Sequence, residues 1–247
     1  MKVAAISTFR QKCGVAKYWE ELAYPLSKLC DLMTLSEKVN TMEPPILDEP
    51  LNYNQCWKRG ESLEGVYSFM CADETELCHI QFEQTIFIDT HFRPFLDQLE
   101  KTEFPTVITL HNVPAFNSSY SMWYSKYPFQ YIVQNELMKQ EFLKWNPQGK
   151  VAVIPLGSTI FTPKKIEHGL YYLCQVGFYG YDKGMYEIIQ AMPKIKEQIP
   201  NVHLIFAGSL HPLAPQIHKD YLMKCMKLAY SLKLTTDIDF LGRFLDE

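Results

Sequence analysis

The sequence has no long apolar run. Nothing in its 247 residues approaches the roughly 18 consecutive apolar residues that span a bilayer, and Met1-Lys2 leads straight into the strand-like run VAAIS instead of a signal-peptide core. The expected compartment is the cytoplasm. An excess of one charge is also missing: 24 Lys and Arg against 28 Asp and Glu give a net charge of −4, and no stretch reads as a nucleic-acid surface. Residues 1–160 carry 14 basic and 19 acidic side chains and residues 161–247 carry 10 and 9, so the second part is the less acidic and is compatible with an anionic ligand. The seven cysteines are odd in number and lack paired spacing, which argues against a disulfide framework or a zinc knuckle. Cys78 and His79 are adjacent, and neighbours on a strand point to opposite faces, so they make a poor metal pair. No repeat, no low-complexity tract and no G-x-G-x-x-G fingerprint occurs, and the last absence removes the main support for a dehydrogenase.

What is present is a rich supply of core: 47% of residues are hydrophobic and 14% aromatic, enough for one large core or two modest ones. Short β-rich runs alternate with helical patterns: KVAAIS then GVAKYWEELAYPLSKL, LCHIQ then IDTHFRPFLDQLEK, TVITL, YIVQ then NELMKQEFLKW, and VAVIPLG. The alternation predicts an α/β chain of parallel strands with crossover helices. The strands are continuous apolar runs, as expected where both sheet faces are covered. Segment 39–66, with Pro44, Pro45 and Pro50, reads as loops around one weak strand. A polar stretch near Ser158–His168 then separates residues 1–160 from 161–247, where the pattern restarts. The second part offers strands at 170–176, 202–207 and 237–241, whereas a doubly wound nucleotide-binding domain has about six. The reading therefore expects the second domain to stop short of completion, leaving its first strand open to self-association or to a complementing chain.

The strings STFRQKCGVAKYWEEL, CHIQFEQ (taken as the third strand), TLHN, KVAVIPLG, QVGFYGYDKGMYEIIQAMPKI, NVHLIFAGSLHP and FLGRFLDE, in that order, resemble family 4 glycosyltransferases. The resemblance implies a GT-B fold, two Rossmann-like doubly wound domains facing each other, the first on the acceptor side and the second binding a nucleotide sugar. It also implies retention of anomeric configuration, and departure of the nucleotide diphosphate with no cofactor and no divalent metal. Basic side chains, backbone N–H groups and helix N-termini must then meet the leaving-group charge.

On this reading Lys183, with Gly184 at a helix start, is the phosphate-stabilising cation, and Gly177, Phe178 and Gly208 line the donor site. Gly14, in the loop after the first strand, lets backbone N–H groups approach the donor phosphates. The family's arginine a few residues before the lysine is absent, since the stretch reads Gly177-Phe178-Tyr179-Gly180-Tyr181-Asp182, and Arg10 and Lys12 are the candidates to compensate. His111, ending TVITL, resembles the family histidine near the transferred sugar. Glu83, Gln84 and Asn112 are placed on the acceptor side. Asp237 and Asp239 spell D-x-D but fit a strand's polar face, so no metal site is expected. Tyr120, Trp123, Tyr124, Tyr127 and Phe129 read first as packing, with sugar stacking or peripheral contact at the inner membrane face as the alternative.

The expected activity is transfer of a hexose from a nucleotide diphosphate sugar to a hydroxyl of a glycan or lipid-linked acceptor. Two alternatives stand beside it. One is an incomplete, non-catalytic acceptor-binding module, because the family's paired-glutamate segment would fall beyond Glu247. The other is a nucleotide-sugar epimerase of GT-B architecture.

Overall fold

The computed structural model describes residues 1–46, 50–114, 122–158, 169–211 and 214–243. The chain forms two compact units, Met1–Thr159 and Ile160–Glu247. The boundary stretch 159–168 lies outside the described residues.

The first unit runs β1 (Lys2–Ser7), α1 (Gly14–Ser27), β2 (Asp31–Glu37), β3 (Tyr53–Trp57), α2 (Glu64–Ala72), β4 (Leu77–Phe82), α3 (Asp89–Lys101), β5 (Thr106–Leu110), β6 (Gln130–Val133), α4 (Glu136–Trp145) and β7 (Lys150–Val153). Its sheet has the order β3-β2-β1-β4-β5-β6-β7, and every pairing is parallel. Successive strand residues feed opposite layers. Ala4, Ile6, Ile80, Phe82, Ile108 and Leu110 join the large core formed with α2, α3 and α4, while Val3 and Ala5 pack with Trp19 and Ala23 of α1. Helix α3 buries Phe92, Phe95, Leu96 and Leu99, the spacing of one helical face. Helix α4 starts where the Asn135 side chain accepts the Met138 N–H at 2.9 Å.

Two elements, β2 and α2, were not expected. LCHIQF is the fourth strand, not the third, because DLMTLSE is itself a strand, β2, and YNQCW is β3. Polar residues break the apolar run of β2, and two of the buried ones have side-chain partners. Thr34 accepts from Trp19 Nε1 at 3.0 Å, and Glu37 is paired with Arg59 at 2.9 Å. Helix α2 (Glu64–Ala72) was not expected; its first three residues fall in segment 39–66, read as loops around one weak strand. The aromatic segment after β5 is packing: Tyr124, Tyr127 and Phe129 are buried, Tyr131 Oη donates to the Tyr124 carbonyl at 2.6 Å, and Arg93 covers the Trp123 ring. Tyr120 lies outside the described residues.

The second unit runs β8 (Tyr171–Val176), α5 (Met185–Gln198), β9 (Val202–Ala207), α6 (Gln216–Ser231) and β10 (Ile238–Phe240). Its parallel sheet has the order β10-β9-β8. Ile189 and Met192 of α5, Cys225 and Ala229 of α6, and Leu204 and Phe206 of β9 make its core. No helix among the described residues is long and apolar enough to cross a membrane.

Strand β8 is a sheet edge among the described residues, and it is apolar: Tyr171, Tyr172 and Val176 are 62%, 43% and 73% exposed. Such an edge templates pairing with another chain. A polypeptide of these 247 residues is expected to self-associate through residues 170–176. Light scattering would show mass rising with concentration, and the β8 amides would gain protection from hydrogen exchange in parallel. A strictly monomeric protein whose β8 amides exchange freely at all concentrations would contradict this.

Candidate functional site

In a parallel sheet every strand carries its C-terminus to one edge, and binding residues collect there, above all where the strand order reverses. In the first unit the reversal falls between β1 and β4, because β2 and β3 lie on one side of β1 and β4 to β7 on the other. The loops leaving β1 and β4 carry Arg10, Lys12 and Gly14, and Glu83 and Gln84, respectively. His111 and Asn112 follow β5.

Gly14 opens α1, which has no side-chain cap and no acidic residue in its first turn, so the positive end of that helix is uncompensated. A Cβ built on Gly14 would meet nothing within 4 Å; the protein itself does not require glycine there. Arg10 has a left-handed φ of 47° and is tied to the loop after β2. Its Nε donates to the Glu43 carbonyl at 2.9 Å, and the Glu43 N–H donates to the Arg10 carbonyl at 2.7 Å. Lys12 lies 4.0 Å from the Glu43 carboxylate. Both candidate cations thus share Glu43, a residue that sequence reasoning did not single out. Ile46 N–H is held in turn by Glu20 at 2.9 Å, so this segment is stitched to α1 as well.

The face that α1 covers carries a polar chain across β4 and β5. His79 and Gln81 sit two apart on β4, and Gln81 is opposite Thr109 on β5. Gln81 Oε1 lies 2.8 Å from His111 Nε2, Gln81 Nε2 lies 3.2 Å from His79 Nε2, and Thr109 Oγ1 lies 2.9 Å from the same nitrogen. The rings meet α1 edge-on, His79 against Trp19 at 5.8 Å and His111 against Tyr18 at 5.3 Å. Gln81 and Thr109 are fully or almost fully buried. Burial lowers His111 from 6.5 to about 4. Burial, and secondarily the neighbouring His111, lowers His79 to about 4. Both rings are neutral at pH 7. His79, Gln81 and Thr109 were missed as site residues, although a glutamine inside the otherwise apolar CHIQF run was a readable signal.

The acceptor-side candidates are more locally engaged. Glu83 accepts from the Thr85 N–H at 2.8 Å and from its hydroxyl, closing its own turn. Gln84 Nε2 reaches Tyr124 Oη at 3.3 Å. Asn112 is exposed.

In the second unit, the ends of β8 and β9 interlock through two glycines. Gly177 has a φ of 135°, and a Cβ on Gly208 would stand 2.0 Å from the Gly177 carbonyl oxygen, so neither position accepts a side chain without moving backbone. Phe178 stands edge-on to His211 at 4.8 Å. Tyr179, also unforeseen, fastens this edge: its hydroxyl donates to the Phe206 carbonyl at 2.8 Å and accepts the Gly242 N–H at 3.1 Å. Lys183 ends a short 3-10 turn, Tyr181–Lys183, ahead of the left-handed Gly184 that caps α5. Its ammonium is half exposed and paired with Asp182 at 2.8 Å, and Lys183 holds the Asp182 carboxyl below its ordinary range. Tyr221 Oη takes up the Tyr186 N–H at 3.0 Å, so one donor of the α5 N-terminus is already used.

The D-x-D carboxylates have separate partners, Asp237 with Lys196 at 2.5 Å and Asp239 with His203 at 2.9 Å. Among the described residues no group of three or more His, Cys, Asp or Glu is arranged to hold a metal. A cavity of about 390 Å³ lies at the opposite edge of the first sheet, where β4, β5 and β6 begin, lined by Leu77, Phe104, Thr106, Phe129 and Gln130 among others. It lies at the opposite ends of the strands from the first unit's candidate residues, which follow strand C-termini.

With this geometry in place, comparison with known proteins is informative. Residues 158–246 match the family model described as glycosyl transferases group 1. Over 98% of this chain and 69% of the other, the structure is similar to HepE of Anabaena, solved in complex with UDP and glucose, with a TM-score of 0.69 and 14% identity. A UDP-forming α,α-trehalose-phosphate synthase from Burkholderia xenovorans matches over 100% of this chain and 74% of its own, with a TM-score of 0.67 and 14% identity. The fold is GT-B. MurG of Acinetobacter baumannii is a more distant likeness, with a TM-score of 0.50 and 11% identity, covering 100% of this chain and 67% of that one. No curated protein matches the sequence. The first sheet of the GT-B chain supplies the crossover edge just described, and the matched segment contains Gly177, Lys183, Gly184 and Gly208.

The two buried histidines make stability depend on pH. Their folded values, about 4, lie below the ordinary 6.5. The unfolded chain therefore binds protons that the folded one refuses, and stability present above pH 6.5 is lost as pH falls toward 4. The loss is roughly 2–3 kcal/mol per histidine. Urea unfolding of wild type and of a His79→Asn, His111→Asn double variant, at pH 7 and pH 4.5, should show the wild type losing more. Parallel losses would contradict the burial of neutral rings.

Proposed function

We propose that this chain is the nucleotide-sugar-handling part of a retaining glycosyltransferase that moves a hexose from a nucleotide diphosphate sugar to a hydroxyl of a glycan or lipid-linked acceptor. The observation that carries the reading is the Lys183 turn. A cation and an N-capping glycine stand at the C-terminal edge of a parallel sheet, within the segment that matches the glycosyltransferase family model. Support for a uridine nucleotide comes from the similarity to HepE, whose structure contains UDP and glucose.

In this mechanism the second domain holds the diphosphate. Lys183 leaves Asp182 for a phosphate oxygen, a stronger charge-assisted partner than an exposed carboxylate. Glycines 177 and 208 keep side chains away from the donor. The bond between the sugar's anomeric carbon and the diphosphate breaks, the acceptor oxygen bonds to the same face, and a departing phosphate oxygen takes the acceptor's proton. Positive charge fixed before the reaction stabilises that departure. In the first domain, the uncapped start of α1 at Gly14 offers backbone N–H groups to an anionic group, with Arg10 and Lys12 beside it. His111 faces the transferred sugar, and Glu83, Gln84 and Asn112 serve the acceptor. The donor and the acceptor are the partners; no cofactor or metal takes part.

One observation favours a second reading, a non-catalytic acceptor-binding module of the same fold. Lys183 is neutralised by its neighbour Asp182, and no arginine stands before it in the turn.

Lys183→Ala distinguishes the two. Transfer from UDP-glucose should fall by about 100-fold or more, while stability changes by less than about 0.5 kcal/mol, as for other exposed positions. Unchanged turnover in the folded variant would remove Lys183 from the mechanism. Donor turnover is also expected to persist in excess chelator. A reversible loss on chelation would bring Asp237 and Asp239 back as metal ligands.

A further inference from the structure

The polar chain behind His111 has a directionality that fixes more than its position. A carboxamide oxygen can only accept and a carboxamide nitrogen can only donate. Gln81 Oε1, 2.8 Å from His111 Nε2, therefore requires the proton on that nitrogen. The other end of the same amide donates to His79 Nε2 at 3.2 Å, and the Thr109 hydroxyl reaches that nitrogen at 2.9 Å. With the amide in this orientation, His79 Nε2 presents its lone pair to the Gln81 amide N–H and to the Thr109 hydroxyl. The His111 N–H of the backbone is fixed as well, donating to the Phe82 carbonyl at 3.0 Å, and the Tyr18 ring sets the ring plane from above. Among the described residues His111 Nδ1 has no hydrogen-bond partner.

We propose that Gln81 is a positioning residue for His111, locking the imidazole with its proton on Nε2 so that the Nδ1 lone pair accepts a hydrogen bond from a hydroxyl of the transferred sugar. The sugar part of this inference rests on the glycosyltransferase reading; the lock on the ring does not. Gln81 itself is 0% exposed. It acts through His111, as an outer partner that sets a ring's tautomer acts on the residue in front of it. The burial of the whole chain keeps the ring neutral at pH 7, so that an acceptor is available at all. The chemical consequence is selectivity for a donating group: a sugar hydroxyl satisfies Nδ1, whereas a deoxy position leaves a buried acceptor unpaired.

The test reads the ring directly. In the full chain labelled with ¹⁵N in its histidines, at pH 7, the His111 ring nitrogens should report protonated Nε2 and bare Nδ1. Gln81→Leu should give a mixture of the two tautomers. A wild-type His111 protonated on Nδ1, or a tautomer unchanged in Gln81→Leu, overturns the proposal. Should Gln81→Leu not fold, Gln81→Glu serves instead. Its carboxylate can only accept, so the ring must keep its proton on Nε2 whatever the state of Nδ1. A neutral His111 protonated on Nδ1 in that variant would equally overturn it. UDP-glucose and its monodeoxy analogues then probe the ligand side. Wild type should prefer UDP-glucose by about tenfold over one of the analogues, and Gln81→Leu should lose part of that preference. Equal preference in both proteins overturns the acceptor role. Expected tautomers without any binding of UDP-glucose would uphold the lock by Gln81 and refute the glycosyltransferase reading instead.

Discussion

Parallel strand pairing is the constraint on which the rest of this structure depends. All eight strand pairings in the two sheets are parallel, so each connection must cross back over the sheet and every strand releases its chain at the same edge. That edge gathers short loops, helix starts and glycines in each unit. It also dictates the buried character of the strands, because crossover helices cover them and leave room for few polar residues. The polar residues that do occur inside are consequently informative. Thr34 holds Trp19, and Gln81 and Thr109 hold the two histidines.

Much of the fold was legible because parallel, covered strands leave continuous apolar runs. KVAAIS, LCHIQF and TVITL read directly, and so did the helix faces of α3 and α5. Strand β2 was not legible, since Asp31, Thr34, Ser36 and Glu37 interrupt it, and the partners of the buried Thr34 and Glu37, which are Trp19 and Arg59, lie far along the chain. Strand β3 was legible only as one weak strand within 39–66, because Pro44, Pro45 and Pro50 crowd the residues before it. Of the site, the glycines were legible because turns at strand ends need them, and the contact between Gly177 and Gly208 gives them a steric reason. The partners of the candidate cations were not legible. Pairing of Lys183 with its neighbour, and sharing of Glu43 by Arg10 and Lys12, depend on side-chain directions that local sequence does not specify. The Tyr221 hydroxyl at the start of α5 belongs to the same class, a long-range contact from α6.

These pairings bear on how the charge of a departing diphosphate would be met. Lys183, Arg10 and Lys12 are all held by carboxylates or carbonyls at or near the surface, where such contacts are worth about 1 kcal/mol or less. In either unit a phosphate would have to replace such a contact to reach a cation, whereas the N–H groups at the start of α1 have no side-chain cap to displace.

The central claim is that ligand chemistry sits at the C-terminal edges of the two sheets and not in the cavity at the opposite edge of the first. Backbone amide chemical shifts recorded during titration with UDP-glucose test this most directly. The account predicts changes concentrated at residues 10–15, 111–112, 177–186 and 208–211. Changes centred on residues 103–107 and 128–130, which line the opposite cavity, would contradict it.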